Sequence, residues 1–193
     1  MVRTRAESSE ERDLPNQIDE HTVVVDGTKV WVFGGFEDGS RTNKVRTFNL
    51  ETHKWALIEP ADARAPCPKP RAGHSAILHN NCMYVFGGKD DDNGKLNDLW
   101  KFDLAANSWT NIETATGTPP MARAGHTANV YEGKIFIFGG IFEVTKELND
   151  CHMYDIENNR WICIFDEKNE DGASIQSPTK IMAMGNNSPL LRK

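Results

Sequence analysis

Apolar side chains along this chain fall in short runs of β-favouring residues, cut by polar turn residues, and no helical periodicity appears. Val23–Val25 leads to Trp31–Phe33, Ile77–Leu78 to Tyr84–Phe86, and Ala128–Val130 to Phe136–Phe138. The turns between them are Asp26-Gly27, Asn80-Asn81 and Glu132-Gly133, which read as hairpin connections. Each second run ends in paired glycines: Gly34-Gly35, Gly87-Gly88 and Gly139-Gly140. A third run follows through Phe48, Phe102 or Tyr154, and a fourth opens at Trp55, Trp109 or Trp161. The pattern predicts four strands per segment, hence twelve strands in three antiparallel sheets with almost no helix.

The three segments share one register. His21, His74 and His126 each precede the first glycine of their pair by thirteen positions, and Asn43, Asn97 and Asn149 precede their tryptophans by twelve. The period is 52 to 54 residues wherever it is measured. A lone four-stranded sheet cannot bury both of its faces, so such repeats must stack. One buried Trp removes roughly 150–250 Å² from water, which makes Trp55, Trp109 and Trp161 the expected packing between sheets. On this reading Trp109, in the central sheet, should be the costliest to truncate.

This signature resembles the kelch repeat, one blade of a β-propeller. The resemblance covers residues 18–165, as blades over about 18–70, 71–120 and 121–165, and Arg71-Ala72-Gly73-His74 and Arg123-Ala124-Gly125-His126 match its strand-opening motif. It implies an all-β fold of three four-stranded blades in a partial propeller. The first copy departs from the pattern, with Ile18 where the others have Arg71 and Arg123, and Lys44 where they have Asp98 and Asp150. Residues 180–187 align with the first strand of a fourth unit, within a polar 166–193 tail. Residues 1–17 are polar and acidic and are expected to be mobile. Three blades leave open edges, and three readings follow: a fragment of a longer propeller, a pair of copies associating through those edges, or an open arc.

Composition narrows the function. A net charge of −6 and a pI near 5.5 argue against a nucleic-acid surface. No apolar run is long enough to cross a membrane, and nothing resembles a secretory signal. Cys67, Cys82, Cys151 and Cys163 form no paired spacing, which suits a reducing, cytoplasmic setting.

Candidate chemistry is sparse. His21, His74 and His126 repeat on successive inner strands, but the resemblance implies a structural role for them rather than a metal site. Asp90-Asp91-Asp92 lacks calcium-loop spacing and reads as a solvated acidic loop. There is no nucleophile elbow, phosphate loop or dinucleotide glycine pattern. No cofactor, metal or catalytic residue is therefore expected.

The function expected is a scaffold that binds a protein partner through loops on one face, at 36–42, 89–96 and 141–147, together with 59–70 and 113–122. The candidate contact residues are Glu37, Asp38, Asp90, Asp91, Asp92, Phe142 and Glu143. Arg71 and Arg123 join them at the channel rim, where they would suit an acidic motif; a structural hydrogen bond is the competing reading of both. The alternative function is a fragment of a larger kelch-domain oxidase, epimerase or multidomain signalling protein.

Overall fold

The structure is a computed structural model that describes residues 14–113, 116–143 and 146–166. The remaining segments, including the expected strand at 180–187 and most of the two tails, lie outside the described residues. No helix occurs among those described, and the strands form an arc of propeller blades.

Blade 1 consists of β2 (Thr22–Asp26), β3 (Lys29–Phe33), β6 (Val45–Asn49) and β7 (Trp55–Ile58), in that spatial order. Blade 2 repeats it with β8 (Ser75–His79), β9 (Cys82–Phe86), β10 (Leu99–Asp103) and β11 (Ser108–Asn111). Blade 3 has β13 (Thr127–Tyr131), β14 (Lys134–Ile141), β15 (Glu147–Asp155) and β16 (Arg160–Phe165). Within these four-strand sets every pairing is antiparallel.

Two additions depart from the twelve-strand expectation. In the linker before blade 3, β12 (Thr116–Gly117) pairs parallel with β16. A side chain at Gly117 would collide with the Trp161 backbone, so only glycine lets the linker lie this close. The loop expected at 36–42 is instead a hairpin of β4 (Phe36–Glu37) and β5 (Ser40–Arg41), joined to β1 (Ile18–Asp19) in a small separate sheet. Its turn is Asp38-Gly39, with both φ values positive at 51° and 84°. That is the Asp-Gly pair a two-residue hairpin favours. Residue 16 of the expected tail is also tied down, since the Asn16 amide side chain donates to Asp38 at 2.6 Å.

Two cores lie between blades. The first joins Val24, Trp31 and Phe33 of blade 1 to Met83, Val85 and Phe102 of blade 2; the second joins Ile77, Tyr84 and Phe86 of blade 2 to Ile135, Ile137 and Tyr154 of blade 3. Alternation along each strand therefore sends one set of side chains to the following blade and the other to the preceding blade.

The tryptophans take part as packing between blades, but in one direction only. Trp109 meets Phe33 of blade 1 at 4.8 Å between ring centroids, and Trp161 meets Phe86 of blade 2 at 5.4 Å. No blade precedes Trp55 among the described residues, and its ring rests on Phe48 of its own sheet. A central position thus gives Trp109 no advantage, and Trp161, only 2% exposed, is the most buried of the three.

Candidate functional site

The inner strands bring Gly73, Gly125 and the three repeat histidines beside a shared axis, where a groove of about 640 Å³ opens toward the loop face. Its charged and polar lining is Glu20, Lys89, Asn93, Lys95 and Glu143. All three blades contribute: blade 1 through Glu20 and His21 ahead of β2, blade 2 through the loop after Gly87-Gly88, and blade 3 through Ile141 and Glu143, where β14 runs on through Gly139-Gly140.

The loops also bind one another. Lys89 Nζ lies 3.0 Å from a Glu20 carboxylate oxygen, joining blades 1 and 2. The Arg41 amide donates to Asp91 at 3.0 Å and its guanidinium to the Asn93 side-chain oxygen at 2.8 Å. Asp90 accepts the Gly94 amide at 2.9 Å, closing its own turn, and lies 3.6 Å from Lys69. Asp38, Asp92 and Glu143 are exposed, and half-buried Phe142 sits beneath Lys146. Glu20 adopts φ 50° where blades 2 and 3 carry Gly73 and Gly125 at 65° and 67°. Holding a non-glycine residue in the left-handed region costs free energy and is a feature that clusters at functional sites.

Three candidate residues are not available as contacts. The Arg71 and Arg123 side chains are fully buried. Arg71 donates twice to Asp98, at 2.7 and 2.8 Å, and once to the Gly87 carbonyl at 3.0 Å. Arg123 repeats this with Asp150 at 2.6 and 2.8 Å and with the Gly139 carbonyl at 2.9 Å. Each guanidinium therefore clamps the strand-opening segment to the middle of its own blade and offers no cation to a partner. Glu37 is the third: it is buried and accepts from Arg46 at 2.8 and 2.9 Å. Blade 1, which lacks the Arg–Asp pair, thus builds a buried ion pair from other residues. Arg46 stands at the repeat position of Trp100 and His152, which contact Asp98 and Asp150 at 2.6 and 3.0 Å.

Electrostatics follow the clamps. Burial alone would raise the Asp98 and Asp150 carboxyls, but hydrogen bonds and charge from the arginines hold both below the usual range. Glu37 is lowered in the same way by Arg46. Burial, reinforced by Arg71, pushes His74 down to about 3, and burial with Arg123 pushes His126 down to about 4. Both rings are neutral at pH 7, and each shares a hydrogen bond with a hydroxyl of the preceding blade: His74 with Thr22 at 2.7 Å, His126 with Ser75 at 2.8 Å. These histidines are bound into blade junctions.

Glu20, Arg41, Lys89 and Lys95 were missed in the sequence. Lys89 and Lys95 do bracket the acidic triplet, directly after Gly-Gly and directly after Gly94, so their place in the loop was readable. Glu20 lines the groove at a left-handed φ, and Arg41, carried by the hairpin, holds Asn93 of its lining from behind.

A family model described as the KLHDC2/KLHL20/DRC7 Kelch-repeats domain matches residues 20–176. Kelch domain-containing protein 3 of Bos taurus is 33% identical over 155 residues, covering 75% of this chain and 40% of that protein. Rho GTPase-activating protein gacHH of Dictyostelium discoideum is 34% identical over 144 residues, covering 73% of this chain and 9% of that protein. Host cell factor 2 of Homo sapiens is 31% identical over 169 residues, covering 77% of this chain and 21% of that protein. In each case the match spans less than half the relative's length.

Proposed function

This chain belongs to the kelch-repeat family, and on that premise we propose that it is a platform for protein–protein recognition rather than an enzyme. The observation that carries the reading is the loop face. Segments of different sequence, held on three repeating sheets, converge on one groove whose charged lining mixes Lys89 and Lys95 with Glu20 and Glu143. Variable loops on a rigid frame are where recognition is usually placed. The potentially reactive groups beneath them support a non-catalytic role, since His74, His126, Asp98 and Asp150 are engaged in holding the blades.

A partner that meets this groove encounters Glu20 and Glu143 together with the two lysines, and exposed Asp92 in the loop that carries both lysines. That pattern favours a segment of mixed charge over a purely acidic one, because like charges placed opposite one another are costly. Four free thiols support the cytoplasmic setting proposed with this function. The small share of each relative that the chain covers supports a further point: the blades act as the recognition module of a longer protein.

The test is affinity capture of binding proteins from the source cell, with two charge-reversed variants. Lys95→Glu with Glu143→Lys alters the groove. Glu51→Lys with Glu157→Lys alters exposed turns at the opposite end of the sheets. Partners should be lost with the first variant and retained with the second, at unchanged melting temperature. Equal retention on both would remove the loop-face reading.

A further inference from the structure

We infer that Lys95 and Glu143 are the open copy of an inter-blade latch, and that an extended peptide segment completes it, with a carboxylate on Lys95 and a cation on Glu143. The closed copy joins blades 1 and 2. Arg41 leaves the blade-1 hairpin with its side chain only 9% exposed. Its amide donates to Asp91 at 3.0 Å, its guanidinium lies 3.8 Å from the same carboxylate oxygen, and a further nitrogen donates to Asn93 at 2.8 Å. Charge-assisted bonds from a planar fork hold the blade-2 loop against its neighbour.

The repeat carries both partners one blade onward. Arg41 stands two positions before Asn43, as Lys95 does before Asn97. Asp91 stands three positions after Gly88, as Glu143 does after Gly140. The backbone has the same form in both hairpin and loop: Arg41 opposes Phe36, and Lys95 opposes Lys89. The next residue, Thr42 or Leu96, donates to the carbonyl of Gly35 or Gly88, each at 2.9 Å. The same residue accepts from the amide of Arg71 or Arg123, at 3.1 and 3.0 Å. The loops of blades 2 and 3 are also equally long, with eight residues between Gly-Gly and Asn. Lys95 and Glu143 are thus to blades 2 and 3 what Arg41 and Asp91 are to blades 1 and 2.

This second pair is unmade. Among the described residues neither Lys95 nor Glu143 makes an ion pair or a side-chain hydrogen bond, and both line the groove. They belong to a junction with a described blade on each side. The physical difference from the closed copy is the cation, since an ammonium lacks the fork that lets Arg41 grip two acceptors at once. The neighbouring charges are committed, Lys89 to Glu20 at 3.0 Å and Asp91 to Arg41. Arg41 also takes the Asn93 side-chain oxygen, which leaves Asn93 Nδ2 as a donor in the groove lining.

One cation, one anion and one amide donor therefore remain for an occupant. The groove, of about 640 Å³, lies within the roughly 300–1,000 Å³ of ordinary ligand sites. Gly73, Ala124 and Gly125 in its lining carry no large side chain to keep a peptide main chain away. A purely acidic segment would set carboxylates against Glu143 and Glu20, and a purely basic one would set cations against Lys95 and Lys89; both arrangements are costly. A segment with one acid and one base pairs with both free charges. This inference rests on the recognition reading and names the chemistry that the same groove selects.

Random hexapeptides displayed between glycine linkers, with no free terminus, are selected on the purified 193-residue chain. Binders should carry an acid and a base in one fixed order. Lys95→Glu with Glu143→Lys should select the opposite order. Lys95→Arg with Glu143→Asp keeps both charges but copies the closed latch, and should weaken the parent's peptides about tenfold. Both variants should keep the parent's far-ultraviolet spectrum. Binders without the charge pair, or the same order on the charge-swapped variant, overturn the inference and leave the recognition reading standing. Full affinity in the Arg/Asp variant overturns it in the same way. If no peptide is enriched on the parent, both readings fall.

Discussion

Arg71 and Arg123 show how a residue can be visible in the sequence and misplaced by it. Their position ahead of the inner strand is part of the repeat, but the same residue type suits either an acidic partner or an internal carboxylate. Burial decides between these, and the Asp98 and Asp150 clamps consume the guanidiniums. Asp150→Asn should destabilise the chain by about 3–5 kcal/mol in chemical denaturation, because it strands a buried cation. Asp98→Asn should cost less, since the Asp98 side chain is 32% exposed against 6% for Asp150 and water can compensate.

The histidines predict a pH dependence. Unfolded imidazoles protonate near 6.5, whereas His74 and His126 in the fold do so only at about 3 and about 4. Between those values the unfolded chain binds more protons, so stability is full above about 6.5 and falls as pH drops. The lowered carboxyls of Asp98 and Asp150 add a second loss, beginning only below their unfolded value of 3.8. Melting temperature should therefore decline from pH 6.5 downward, and His74→Gln with His126→Gln should flatten the curve above pH 4. A parent curve flat from pH 7 to 4 would show that the rings protonate without cost.

At the scale of the element, each blade's fourth strand is a wedge aimed at the preceding blade. Truncation to Ala should cost about 3–5 kcal/mol at Trp161, somewhat less at half-buried Trp109, and about 1 kcal/mol at Trp55. Thermal melts of the three variants check the order, and equal losses would contradict one-directional packing. The existence of the strands was legible because β-rich runs and turn residues recur at one register. The β4–β5 hairpin was equally legible, from Asp38-Gly39 between short runs, but the repeat alignment assigned that stretch to a loop. Strand β12 was not legible: two residues in a polar linker become a strand only because Gly117 permits contact with the Trp161 backbone.

At the scale of the molecule, three repeats in a row give two junctions among the described residues, each built from the same Phe, Trp, His and hydroxyl set. Thr22→Val and Ser75→Val should each weaken one junction by about 1 kcal/mol, since each removes the hydroxyl that bonds a repeat histidine across it. Thermal melts unchanged in both variants would show that these hydroxyls do not hold the junctions.

The sequence by itself determined the repeat, the strands and the stacking of blades, since these depend on local turn chemistry and on apolar residues recurring at one period. It also marked Trp55, Trp109 and Trp161 as packing between sheets. Only the tertiary structure decided which charges face water. Glu37 and Asp38 are neighbours in one loop, yet one is buried on Arg46 and the other exposed. Charge identity is local, whereas desolvation depends on side chains brought from elsewhere in the chain. The loop face and its groove became readable for that reason only after the blades were in place.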